Sequence, residues 1–253
     1  MKRTRRSGRL SPAAAVLALI LLGLAAVLVA GSGPAYRSGL LSLGGAFGML
    51  RYGVLATAAA GGLGLMILIT TFWHRRPGPA LTGGLVVAGA MALVSVPFLY
   101  WQQAQKVPPI HDITTDTRDP PAFEALVAAR EAAPNAVGYP GEDTARQQRL
   151  AYPDIGSLHL QASLPRVLEA AEAEMLAFGW EVAEVSGDHI EATATTLWFG
   201  FRDDVVIRLR KEDEGVRVDM RSASRVGRSD VGTNAARIRL YLDALERRVT
   251  QSD

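Results

Sequence analysis

Asp203-Asp204-Val205-Val206-Ile207-Arg208-Leu209-Arg210-Lys211 is followed, after a turn at Glu212–Gly215, by Val216-Arg217-Val218-Asp219-Met220-Arg221-Ser222-Ala223-Ser224. Apolar and polar residues alternate through both runs, the period of a strand with one buried face. The turn makes them a hairpin. Pairing Leu209 with Val218 puts Val205, Ile207, Leu209, Val216, Val218 and Met220 inward, sets Arg208 opposite Asp219, and sets Arg210 opposite Arg217.

Working outward, Trp180–Ser186 and His189–Leu197 read as two more strands around a tight Gly187-Asp188 turn. Ile155–Gln161 reads as a short strand. A helix follows from a Ser163 cap, with Pro165 tolerated in its first turn and Gly179 stopping it. Its expected core residues are Val167, Leu168, Ala171, Met175 and Leu176. A last helix over 232–249 carries an apolar stripe of Ile238, Tyr241, Leu242 and Leu245. The order β-α-β-β-β-β-α predicts a soluble α+β domain over 151–253, an antiparallel sheet with two helices on one face.

The N-terminal part is a different kind of sequence. Residues 1–111 contain no Asp or Glu, and all 25 acids lie beyond them. Three apolar stretches, 13–30, 54–73 and 80–101, approach or reach the ~20 residues that cross a bilayer, predicting three transmembrane helices within a membrane region over 1–103. The alternative for the first stretch is a cleaved signal peptide, but its apolar run is long and no small-x-small cleavage site follows. Ala56, Ala60 and Gly64, and Gly84, Ala88 and Ala92, repeat at the spacing of close helix contacts. Lys2, Arg3, Arg5, Arg6 and Arg9 at the N-terminus, with Arg75 and Arg76 in the second turn, place those segments in the cytoplasm. An inner-membrane protein with an extracytoplasmic, periplasmic C-terminal domain is therefore expected. Residues 104–150 read as an extended arm with a short helix at 122–131.

The basic excess sits in membrane flanks, so it does not point to nucleic acid. The absence of cysteine removes disulfides, thiolate nucleophiles and Cys-ligated metal. No cofactor motif, no metal-ligand spacing and no nucleophile elbow is present. Asp203 and Asp204 alternate to opposite sides of their strand and cannot act jointly as acid and base.

Ile110-His111-Asp112-Ile113-Thr114-Thr115-Asp116, Asp119-Pro120-Pro121, Tyr152-Pro153-Asp154-Ile155, Gly179-Trp180, Trp198-Phe199-Gly200-Phe201-Arg202-Asp203-Asp204 and the run from Arg221 through Asp230 to Ile238 together resemble the domain-of-unknown-function 1499 family. The resemblance covers roughly 109–247. It implies a fold and a membrane-attached bacterial setting, and no activity or catalytic residue.

Four groups are candidate sites. Arg221, Ser224, Arg225, Arg228, Ser229, Asp230, Asn234 and Arg237 lie at or near the start of the last helix and read as an anion site for lipid phosphate or cell-wall carboxylate; the alternative is a helix cap with arginines paired to aspartates of the domain. His111, Asp112, Asp116 and Asp119 read as side chains pinning the arm, or as a secondary site. A turn centred on Phe199-Gly200 puts Glu191 opposite Arg208, extending a Glu191–Arg208–Asp219 ladder on a solvated sheet face, with docking of the arm or a protein as the alternative. Trp198–Phe201 reads as strand-end packing or bilayer contact. The expected function is non-catalytic binding of an envelope component, an anionic lipid or a protein partner. A hydrolase or transferase using His111/Asp112 and Arg225/Asp230, and a structural subunit of a membrane complex, are the alternatives.

Overall fold

The computed structural model describes residues 12–74 and 77–251 and divides into two compact units. The basic residues at 2–9 and at 75–76, on which the orientation argument rests, lie outside the described residues.

The first unit holds α1 (Pro12–Arg37), α2 (Leu43–His74) and, as far as Trp101, α3 (Pro77–Lys106). All three are long and apolar enough to cross a membrane, with spans of 25, 31 and 28 residues. The first two are longer than their apolar runs, because the Gly- and Ser-containing segments between them continue the helices and leave only a short turn around Gly39. Small residues set the packing. A Cβ on Gly53 would stand 2.8 Å from Val29, and one on Gly64 2.9 Å from Val86. On α3 the packed stripe is Gly83, Val86 and Ala90, not the expected Gly84, Ala88 and Ala92: a Cβ on Gly83 would meet the Gly64 carbonyl, and one on Gly84 would meet nothing. The expected stripe has the right kind of residue but is offset by one or two positions around the helix. Trp198–Gly200 also belongs to this unit, where Phe199 is buried and stacks on Phe47 at 5.3 Å.

The second unit is α+β. Its elements are β1 (Asp112–Thr114), α4 (Val127–Glu131), α5 (Glu142–Ala151), β2 (Leu158–Leu160), α6 (Leu164–Ala177), β3 (Glu181–Ser186), β4 (His189–Thr195), β5 (Arg202–Glu212), β6 (Gly215–Ser224) and α7 (Thr233–Gln251). From β2 onward the order is the expected β-α-β-β-β-β-α. The antiparallel sheet runs β1-β6-β5-β4-β3, with β2 also paired to β6. The β5–β6 register is as read: Leu209 faces Val218, Arg208 faces Asp219 and Arg210 faces Arg217.

α6 and α7 cover one face. Val205, Ile207, Leu209, Val218 and Met220 are fully buried against Val167, Ala171, Met175, Ile238, Tyr241 and Leu245. Each large apolar side chain so buried contributes about 1.5–3 kcal/mol. The Tyr241 hydroxyl donates to the Ala171 carbonyl (2.7 Å), and the Tyr241 ring stacks on Trp180 at 5.1 Å. Leu176 departs from expectation: it is 59% exposed, on the far side of α6.

Two elements were not anticipated. β1 is too short for periodicity to show, and α5 is a polar helix burying only Ala145 and Gln148. The expected 122–131 helix begins only at Val127, because the preceding backbone N–H groups turn to a carboxylate on the sheet.

Candidate functional site

The sheet face away from α6 and α7 carries His189, Glu191 and Thr193 from β4, Asp204, Arg208 and Arg210 from β5, and Arg217, Asp219 and Arg221 from β6. The expectation of a solvated face is overturned. Segments between 112 and 141 cover it, and Glu191, Asp204 and Asp219 are fully buried.

Three aspartates organise the layer. Asp112 takes Arg221 in a bidentate pair at 2.9 and 2.8 Å. Arg221 also donates to the carbonyls of Pro121 (3.2 Å) and Val137 (2.9 Å) and lies over the Phe123 ring. Asp204 takes Arg130 at 3.0 Å, Arg225 at 2.7 Å and the Thr193 hydroxyl at 2.9 Å. Arg130, itself buried, also donates from its terminal nitrogens to the Ala223 and Ala136 carbonyls, while its Nε finds no partner; burial lowers its pKa, and the Asp204 charge opposes that. Asp219 takes Arg208 and Arg217, both at 3.0 Å.

The arm then closes the layer from outside. Asp116 takes Arg217 at 2.7 Å, and Asp119 takes Arg208 at 3.3 Å together with Arg210. Burial pushes the Asp116 carboxyl up, but the Asp119 and Arg118 N–H groups and Arg217 outweigh it and hold it below its ordinary value. His111 contributes its carbonyl, which accepts from Ser224 N–H (2.9 Å) and the Asn234 amide (2.9 Å).

Glu191 does not face Arg208. The β4–β5 connection is centred on Trp198-Phe199, so Glu191 pairs with Val206 and His189 with Arg208. Moving a turn centre by one residue moves every partner by two. Glu191 instead accepts from the N–H groups of Glu124, Ala125 (3.0 Å) and Leu126 (2.9 Å), and from His189 Nε2 (2.8 Å). Burial raises its pKa, and these hydrogen bonds together bring it below the ordinary value. The Glu191 hydrogen bond in turn raises His189, against the opposing effect of burial.

The remaining predicted residues stand on the helix face or in the loop before α7. Asn234 is fully buried and accepts from the Ser222 hydroxyl (2.7 Å) and Arg237, while its amide donates to Ser224 Oγ (3.0 Å). Arg237 pairs with Asp203 at 2.6 Å. Asp230 caps α7, accepting from Gly232 (2.9 Å) and Asn234 (2.8 Å) N–H; burial raises its pKa, and these bonds oppose the rise. The Ser229 hydroxyl accepts from Val231 N–H (3.2 Å). Val231 has φ +55°, a left-handed conformation that a β-branched residue adopts at a cost. Arg228 is exposed.

The residues grouped as one anion site are thus divided between the two sheet faces and the loop before α7. Arg221, Arg225 and Arg237 each hold a carboxylate of the chain, and the α7 cap position is filled by Asp230. The layer neutralises itself by pairing these guanidinium groups with carboxylates of the chain. Sequence reasoning missed Arg130 and Asp204 as members; it placed Glu191 on this face but opposite Arg208 rather than Val206. Among the described residues no cluster of three or more His, Cys, Asp or Glu is placed to hold a metal ion.

These observations define a class: a protein with three membrane-length helices and an α+β domain whose sheet is packed by helices on one face and by an ion-paired arm on the other. The chain belongs to the family described as Protein of unknown function (DUF1499), whose model matches residues 112–245, more than half the chain. That match begins at Asp112, the first residue of β1. A crystal structure of TTHA0849 from Thermus thermophilus is similar at 15% identity over 39% of this chain and 97% of that one, with a TM-score of 0.25. No curated protein matches the chain.

Proposed function

We propose that this is an integral inner-membrane protein whose α+β domain lies on the extracytoplasmic side and binds a protein of the cell envelope without catalysis. The observation that carries the reading is the free edge of β3. Among the described residues this strand pairs only with β4, five of its six residues are exposed, and Val185 is among them. Leu176 and Phe178, both exposed, directly precede it in the chain. An unpaired strand edge with apolar side chains beside it is the surface that an extended segment of another protein extends by strand addition. The ion-paired layer supports this choice over an anionic lipid, because its guanidinium groups are already engaged.

A photo-crosslinker at Ala183 or Val185, compared with one at Arg228, tests the reading in intact membranes. The expected result is a discrete protein adduct from β3 that a Val185→Pro change removes. Lipid adducts at Arg228 with none at β3 would replace this reading with anion binding before α7. Orientation is checked separately by a reporter fused at Asp253, expected to report the extracytoplasmic side.

A further inference from the structure

We propose that residues 122–137 form a displaceable cover over the polar sheet face, and that the protonation state of His189 sets how firmly Glu191 latches it. The latch is a single carboxylate gripping three consecutive backbone N–H groups, Glu124, Ala125 and Leu126, at the start of the turn that leads into α4. It acts as a helix cap supplied from a strand, a charge-assisted contact stronger than a neutral one. His189 donates to the same Oε1 that holds Glu124 and Ala125. Its side chain keeps 13% exposure while Glu191 keeps none, so solvent protons reach the histidine and act on the carboxylate through it.

Three further features make this segment the one able to open. Its apolar contact with the sheet is small, limited to Phe123, Leu126, Val206 and Ala223 with Val127 and Val137 at the margin. The rest of its hold is polar: Arg130 on Asp204, Asn135 on the Ser224 and Gly227 carbonyls, and Arg221 on Val137. The face beneath is charged and accepts water when uncovered. Segments with few buried apolar contacts open locally before the domain unfolds.

The charges around His189 favour its proton. Glu191 on β4 and Glu124 on the cover face it, and Asp188 adjoins it; Arg208 is its partner on β5, and Glu184 on β3 is paired with Glu191. Protonated His189 therefore tightens the latch, and its loss of the proton at rising pH loosens it.

Hydrogen exchange of the full chain in lipid nanodiscs tests this, following the Glu124–Leu126 amides between pH 6 and 8.5 with intrinsic exchange chemistry divided out. Protection is expected to fall by about fivefold across the range, the difference between a charge-assisted and a neutral hydrogen bond. Amides of Ile190 and Ile207 stay more protected than these at every pH and fall by no larger factor. His189→Gln should abolish the pH step, and Glu191→Gln should lower protection at every pH. Should either variant fail to fold, the wild-type profile together with an NMR titration of His189 decides. Protection independent of pH, a step surviving in H189Q, or Glu124–Leu126 protection equal to that of the core amides overturns the proposal.

Discussion

Replacing Arg221 by methionine isolates the cost of the buried pair. In R221M, Asp112 keeps about 1% exposure and loses both hydrogen bonds of its bidentate partner. Breaking a buried pair by removing one member costs about 3–5 kcal/mol, because the remaining charge must be desolvated alone or protonated. The carbonyls of Pro121 and Val137 also lose a donor, a cost already contained in that range. A loss near 4 kcal/mol is therefore expected, about a thousandfold in the opening equilibrium. Native-state hydrogen exchange of the Ile190 and Ile207 amides in the full-length protein reads it directly, since both strands lie in the sheet core. The double variant D112L/R221M removes the stranded carboxylate and should recover about 2 kcal/mol relative to R221M. A loss below about 1 kcal/mol in R221M, or a double variant no better than the single, would refute the view that this pair locks the arm.

Three other outcomes are expected. Val231→Gly relieves a left-handed β-branched residue and should stabilise the domain by up to about 1 kcal/mol, part being offset by the freer unfolded chain; thermal melts check it. Gly83→Ala drives a methyl against the Gly64 carbonyl and should weaken the helical unit by about 1–3 kcal/mol in detergent unfolding, whereas Gly84→Ala, with open space around it, should be neutral. The pH profile of stability should slope at both ends. Asp116, Asp119 and Glu191 are held below their ordinary values, so their contribution is present above the unfolded carboxylate range and lost as pH falls through the folded values. His189 is raised above 6.5, so its contribution is full below that value and lost as pH climbs through the folded one. H189Q should flatten the alkaline slope in urea titrations at stepped pH.

Much of this was legible from alternation. Val205 to Leu209 and Val216 to Met220 declare their inner face through period two, and the Glu212–Gly215 turn fixes their register. The helix-face core follows from the same reading. For the other face, pinning of the arm by Asp112, Asp116 and Asp119 was one of the readings, but Arg130 and the Asp204 pairing did not follow, because Arg130 is a charged residue in loop-like sequence. Pairing between residues so far apart in the chain leaves no local trace. The Glu191 partner was lost for a narrower reason: aromatic loops do not announce their centre, and the Thr196–Phe201 connection closes through a side-chain and a backbone bond that spacing alone does not predict. The small-residue stripe on α3 was legible in kind but not in phase, since glycines stand at both 83 and 84 and only one of them faces a neighbour.

The adjacent carboxylates of Asp203 and Asp204 act like the two heads of one rivet. One head fastens α7 through Arg237, the other fastens the arm through Arg130 and the loop after β6 through Arg225. Sliding β6 along β5 by one residue would drive Asp219 and Arg221 into the oil of the helix side, strand Val218 and Met220 among charges, and pull Arg225 away from Asp204. Alignment of this hairpin is thus enforced twice over, by apolar and by ionic matching, and an error in either is punished by the other.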